Sequence, residues 1–259
     1  MNESFLYQTH EVIIQGVFFA FMMAATEAGY RFGRKSETNV PDNTKSQITT
    51  VEAALLGILA LLLGFTMSMA VSRFENRKQL VLEESDAIGT SLLRARLLSS
   101  PAGIEIEGLL RQYVNVRVEY GNAGDNLPRL EQLNTQTAQL QMELWTRATA
   151  YAQQNPNPVQ AGLLLQSLNQ TFDVGEARWM AFQNHVPESV IYVNAAVSLL
   201  SAMLVGYSFG VSGRRNLFSM GMLALSITLV LAVIIDLDRP RSGFIRGSQQ
   251  PMIDLLRRR

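Results

Sequence analysis

Four apolar stretches, each long enough to cross a lipid bilayer, constrain this chain more than any other feature of its sequence. They cover residues 12–30, 53–71, 189–212 and 217–235. A helix rises about 1.5 Å per residue and the hydrocarbon core is about 30 Å thick, so about 20 mostly apolar residues span it. The last three stretches contain no charged residue, and the first carries only Glu27. The sequence therefore predicts an all-α integral membrane protein with four transmembrane helices.

A cleaved signal peptide is the alternative interpretation of the first stretch. Signal peptides place their basic residues before the apolar run. Here residues 1–11 contain no Lys or Arg, and Arg31, Arg34 and Lys35 follow the apolar run instead. We therefore expect an uncleaved span.

The spans divide the chain into four regions. We expect a first transmembrane pair within residues 1–71, a helical extramembrane domain at 72–188, a second pair within 189–238 and a basic tail at 239–259. Counts of Lys and Arg near the span ends are similar on the two sides, so the charge pattern leaves the orientation open.

Amphipathic helices are predicted for the extramembrane domain, because apolar residues recur there every three or four positions. One series is Leu130, Leu133, Thr137, Leu140, Leu144, Ala148 and Tyr151, and the other is Leu164, Leu168, Phe172, Gly175, Trp179 and Phe182. Gly- and Pro-rich breaks lie at 101–103, 121–124 and 155–158. They predict about four helices, the first of them able to continue span two.

Small residues form a regular face on three of the spans. Span two carries Ala53, Gly57, Ala60, Gly64 and Ser68, span three carries Asn194, Ser198, Ala202, Gly206 and Gly210, and span four carries Ala224, Thr228, Ala232 and Asp236. Such faces let helix backbones approach closely in a membrane. Two interpretations stay open, namely tight helix packing and the lining of a water-filled pore.

Charged residues at membrane depth are costly, which makes them the best functional candidates in this chain. The candidates for intramembrane or interfacial ion pairs are Glu27, Arg31, Arg73, Arg77, Asp236, Asp238 and Arg239. The exits of spans two and four lie on one side of the membrane, so an Asp–Arg network is expected there. In the alternative interpretation, these charges only fix helix ends at the interface.

The composition excludes several classes of function. The chain has no Cys and only two His, which leaves little for a metal centre or for a catalytic triad. Its 22 basic and 22 acidic residues balance, so no basic field attracts nucleic acid. We therefore expect no enzyme activity, cofactor, metal or nucleic-acid partner. Glu83, Glu84 and Asp86 could bind a cation, but the pattern favours a solvated helix face.

Six sequence blocks resemble the bestrophin-like domain-of-unknown-function family of bacterial membrane proteins. They are EAGYRFGR at 27–34, LGFT at 63–66, RFENR at 73–77, EESDAIGT at 83–90, DLDRP at 236–240 and SQQP at 248–251. This family is distantly similar to bestrophins, which are pentameric anion channels with four spans and a pore lined by the second span. The resemblance implies a homo-oligomer in the bacterial inner membrane, with residues 72–188 in the cytoplasm. One departure is that Phe65 is the only aromatic residue of span two.

Three functions are consistent with these features. The leading hypothesis is an oligomeric pore for small anions such as chloride or bicarbonate, surrounded by membrane lipid, with the small face of span two near its axis. The alternatives are a non-conducting scaffold or sensor whose helical domain binds a partner, and a proton-coupled transporter that uses Glu27 or Asp236.

Overall fold

In the residues that the computed structural model describes, all regular secondary structure is helical. Those residues are 11–36, 41–98, 101–124, 126–154, 158–239, 245 and 247–257. The helices are α1 (Glu11–Lys35), α2 (Asp42–Arg96), α3 (Pro101–Asn122), α4 (Leu127–Gln154), α5 (Pro158–Gln183), α6 (Glu188–Val211), α7 (Leu217–Asp238) and α8 (Gln250–Arg257). Among the described residues, four helical segments, at α1, α2, α6 and α7, are long and apolar enough to cross a membrane. The predicted all-α class is confirmed.

The chain divides into two compact units. The first, which we call the membrane unit, comprises residues 1–72 and 185–239, and the second, the helical unit, comprises 73–184 and 240–259. The predicted continuation of span two into the next helix is confirmed, because α2 extends without a break to Arg96.

Glycines hold α1 and α6 together in the membrane unit. A Cβ added to Gly29 would lie 1.9 Å from the carbonyl oxygen of Met203, and the corresponding distances to backbone oxygens are 2.2 Å for Gly33, 2.0 Å for Gly206 and 2.3 Å for Gly210. These backbones are therefore in direct contact, as small residues allow in membranes. The packing interpretation is confirmed for the small face of span three.

The helical unit has an apolar core built from α3, α4, α5, α8 and the C-terminal part of α2. Leu110, Leu144, Leu164 and Met252 are fully buried in it. Both predicted apolar series face inward, since every member is buried except Leu140, Phe172 and Trp179, which are partly buried and pack against the unit's cores. The prediction of amphipathic helices is confirmed.

Candidate pore face and ion clusters

The small face of α2 lies at the surface of the membrane unit. All five of its residues, Ala53, Gly57, Ala60, Gly64 and Ser68, are exposed. A Cβ added at Gly57 or Gly64 would meet no atom within 4 Å. The opposite face of α2 is buried and carries Leu59, Leu63 and Thr66. The small face therefore makes no close packing contact with the described residues of the same chain.

Large apolar side chains flank this small face on α2. Leu61 is 63% exposed and Phe65 is 71% exposed, and Ile58 also lies at the surface. Apolar exposure on this scale is ordinary for a helix that faces lipid or another membrane protein. The exposed side of α2 thus has a strip of small residues beside a strip of large apolar side chains.

The small faces of spans three and four are buried, in contrast to that of span two. Asn194, Ser198, Ala202, Gly206 and Gly210 on α6, and Ala224, Thr228, Ala232 and Asp236 on α7, all lie inside the protein. Small residues recur every three or four positions in all three helices, so only the tertiary structure distinguishes the buried faces from the exposed one.

A buried polar pair connects the inner face of α2 to α6. The Asn194 amide nitrogen donates to the Thr66 hydroxyl oxygen at 2.9 Å and to the Val190 carbonyl oxygen at 2.9 Å. Thr66 in turn donates to the Leu62 carbonyl oxygen at 2.7 Å. Among the described residues, no group donates to the buried Asn194 Oδ1. Polar contacts of this kind join helices in membranes.

Glu27 is the centre of an ion cluster at one end of the membrane unit. Its carboxylate accepts hydrogen bonds from Arg31 at 2.9 Å and from Arg215 at 2.8 Å. The Arg215 guanidinium also lies over the Tyr30 ring, 5.4 Å from its centroid. The cluster connects α1 to the segment before α7, which sequence spacing alone did not indicate.

The other candidate ion-pair residues lie at the exits of spans two and four. Asp238 is buried, and both of its carboxylate oxygens accept from the Val186 amide at 3.0 Å. Arg73 donates to the Asn184 side-chain oxygen. Three further candidates, Arg77, Asp236 and Arg239, are each 5% exposed. The Asp–Arg network between the two exits would join different compact units, and it stays a prediction.

A second ion cluster is buried inside the helical unit. Glu84 on α2 accepts from Arg117 on α3 at 2.5 Å and from Arg178 on α5 at 2.6 Å. None of the three side chains is more than 2% exposed. Arg117 also donates to the Gly175 carbonyl oxygen at 3.2 Å, and Arg178 donates to the Gln249 side-chain oxygen at 2.7 Å. One carboxylate thus accepts hydrogen bonds from two guanidinium groups.

The electrostatics of this cluster follow from burial and from charge pairing. Burial alone would raise the pKa of Glu84, which lies beyond the four predicted spans, but the two guanidinium groups outweigh burial and lower it. Burial lowers the pKa of Arg178, whereas Glu84 outweighs burial at Arg117 and raises its pKa. Burial also raises the pKa of Tyr113 to about 12. The arrangement fits a structural ion cluster that remains charged.

The comparisons with known proteins agree with this architecture. The family model described as "Bestrophin-like domain" matches residues 16–252. The chain belongs to the bestrophin-like family. No curated protein matches its sequence.

Solved structures of a bacterial bestrophin homolog from Klebsiella pneumoniae share the fold of this bestrophin-like protein. One single-substitution variant has a TM-score of 0.66 at 15% identity, with 96% of this chain and 97% of that chain covered. Another has a TM-score of 0.67 at 15% identity, with 100% and 97% covered. The bestrophin-like chain is therefore an integral membrane protein with this fold.

One expectation for the bestrophin-like chain was wrong. Glu83 and Asp86 are exposed, but Glu84 is completely buried and lies between two arginines, so it is not part of a solvated face. A signal was present in the sequence, because Glu84 continues the inward face of Val81 and Ile88. A charge that interrupts such an apolar face predicts a buried counterion.

Proposed function

We propose that the protein is an oligomeric channel that passes small anions such as chloride or bicarbonate across a bacterial inner membrane. The observation that carries this proposal is the uncharged small face of α2, which is exposed in one copy of the chain, whereas the small faces of α6 and α7 are buried. A small face allows close approach of another helix, and rotational symmetry would bring the α2 helices of several copies around one axis. Membership of the bestrophin-like family supports the same arrangement.

The chemistry of the face suits weak binding of anions. Glycine and alanine keep the path wide, and the Ser68 hydroxyl can donate a hydrogen bond to a passing ion. Neither Asp nor Glu lies between Ala53 and Val71, so no fixed negative charge repels an anion there. Arg73 follows on the same helix, on the side opposite the small face by helical spacing, so it would act through its long-range field, which raises the local anion concentration near a pore entrance.

The first test changes the size of one side chain on the small face of α2. Purified protein in liposomes should release chloride, nitrate and bicarbonate faster than empty vesicles. Gly64→Leu should reduce this flux at least about tenfold, because a leucine narrows the path where dewetting and steric exclusion control conduction. Gly221→Leu on α7 is the matched control, since an added Cβ meets no atom within 4 Å at either glycine. Equal flux through both variants would contradict the placement of α2.

Charge at the exit of span two gives a second, independent test. Arg73→Glu should change the ratio of chloride to nitrate permeability and reduce the flux of both. If inserted, folded protein conducts no better than empty vesicles, the scaffold hypothesis replaces the channel. If flux requires a proton gradient and Glu27→Gln abolishes that requirement, the transporter hypothesis replaces it.

A further inference from the structure

An open groove of about 840 Å³ lies along α1 in the membrane unit, at the end that carries the Glu27 cluster. All of the described residues that line it belong to α1; they are Ala24, Glu27, Ala28, Arg31, Phe32, Arg34 and Lys35. Since α1 is one of the helices long and apolar enough to cross a membrane, the groove faces the lipid and the membrane interface.

The groove has an apolar part and a basic part. Ala24 and Ala28 share one side of α1 with Phe32, which is 55% exposed. Arg31 and Lys35 continue the same side toward the end of the helix. The apolar part lies within the predicted span at 12–30, and the basic part follows it. One helix thus presents small and aromatic residues at membrane depth and cations at the interface.

The charge at this end of the membrane unit is strongly positive. Residues 27–35 and the turn at 213–216 carry five cations, namely Arg31, Arg34, Lys35, Arg214 and Arg215, and one carboxylate, that of Glu27. Arg215 donates to Glu27 at 2.8 Å, and this contact brings the turn to the end of α1. Arg31 and Arg215 share the Glu27 carboxylate. The two segments therefore have an excess of four positive charges.

Arg34 and Lys35 are available to a ligand. Both are exposed, and Arg34 donates to the neutral Tyr30 hydroxyl at 3.1 Å. No carboxylate among the described residues forms an ion pair with either of them or with Arg214. Guanidinium and ammonium groups bind phosphate oxygens through charge-assisted hydrogen bonds. These side chains can therefore bind a phosphate group without breaking an ion pair.

An anionic phospholipid matches both parts of the groove. Its acyl chains lie in the hydrocarbon core and its phosphate lies at the interface, where clusters of Lys and Arg attract anionic headgroups. A free phosphate ion would use only the basic part and would gain nothing from the alanines and Phe32. A zwitterionic lipid has an ammonium group of its own, which the excess positive charge repels.

We infer that this groove binds one anionic phospholipid. Its phosphate contacts Arg34 and Lys35, the field of Arg214 adds to the attraction, and one acyl chain lies over Ala24 and Ala28. Binding does not depend on conduction, so the inference stands or fails separately from the proposed channel.

The test is native mass spectrometry of the full-length protein in detergent, with phosphatidylglycerol and phosphatidylcholine of identical acyl chains added in turn. Phosphatidylglycerol should bind at least about tenfold more tightly, because only this lipid has a net negative charge. Glycerol phosphate, which has the phosphate without acyl chains, should not compete at up to about 10 mM. Equal affinity for the two lipids would overturn the inference. Competition by glycerol phosphate would identify a soluble phosphate ester as the ligand and would overturn it as well.

Two variants locate the site. Arg34→Gln combined with Lys35→Gln should weaken the binding of phosphatidylglycerol at least about tenfold, since each cation near an anionic lipid contributes about fivefold. Ala24→Phe should weaken it at least about fivefold, because the ring fills the apolar part of the groove. Arg147→Gln is the matched control, since Arg147 is an exposed arginine of α4 in the helical unit. It should leave the affinity unchanged.

Far-ultraviolet circular dichroism would show that each variant is folded, and light scattering would give the mass of its oligomer. Unchanged affinity in the folded double variant, or in folded Ala24→Phe, would place the lipid elsewhere and overturn the inference. A smaller oligomer for Ala24→Phe than for the unaltered protein would show that a second copy of the chain covers the groove, which would also overturn it.

Discussion

Replacing Gly29 with alanine tests whether direct backbone contact between α1 and α6 holds the membrane unit together. The added Cβ would lie 1.9 Å from the Met203 carbonyl oxygen and 2.9 Å from the Tyr207 amide nitrogen. Both neighbours are backbone atoms, so no side chain can rotate away. Ordinary contact begins at 3.4 Å, and the helices would therefore have to separate by about 1.5 Å.

The cost of this separation can be estimated. Overpacking of a well-packed interior costs about 1–3 kcal/mol, and here the other three glycine contacts of the same crossing loosen as well. Each kcal/mol lowers Tm by about 2–4 °C in a protein of roughly this size. We therefore expect Tm of Gly29→Ala to fall by about 5 °C or more.

Thermal unfolding of the purified protein in detergent, followed by circular dichroism, measures the effect. Gly16→Ala is the control on the same helix, because a Cβ there meets no atom within 4 Å. Alanine favours a helix over glycine by about 0.5–1 kcal/mol, so this control should melt at the same or a slightly higher temperature. A Gly29→Ala protein that melts like Gly16→Ala would refute the backbone contact.

Three further predictions concern the helical unit. Glu84→Gln should lower the free energy of unfolding by about 3–5 kcal/mol in denaturant titrations, because it leaves two buried guanidinium groups without their carboxylate; Glu83→Gln, at an exposed position, should change it little. The folded-state pKa of Glu84 is below the ordinary value of 4.5, so its stabilisation is complete above that pH and is lost as the pH falls through the folded-state pKa. Thermal melts between pH 6 and pH 3 should show this loss, and Glu84→Gln should show a smaller acid dependence; equal acid dependence would contradict the assignment. Gly121→Ala should displace Gln249 and speed proteolytic release of the C-terminal segment, whereas Gly108→Ala on the same helix, where a Cβ meets no atom within 4 Å, should not.

Much of the fold was predictable because its signals are local. A transmembrane span requires only a continuous apolar run of sufficient length, and amphipathic helices repeat within one or two turns. The three breaks in the extramembrane region likewise depend on Gly and Pro at the positions themselves. For this reason the bounds of α3, α4 and α5 lie close to the predicted breaks.

The ion clusters were harder to predict, because their partners are far apart in the chain. Glu84 and Arg178 are separated by 94 residues, and Glu27 and Arg215 by 188 residues. Spacing along one helix identified Arg31 as a partner of Glu27, but it contained no information on Arg215.

The small faces of α2, α6 and α7 show which properties the sequence determined and which the tertiary structure decided. By itself, the sequence determined that α2, α6 and α7 carry small residues at helical spacing within apolar spans, because helix geometry fixes which residues share a face. Only the tertiary structure decided that the faces of α6 and α7 are buried and that the face of α2 is exposed. The physical reason is that close approach needs a second backbone, and the identity of that neighbour depends on the path of the whole chain.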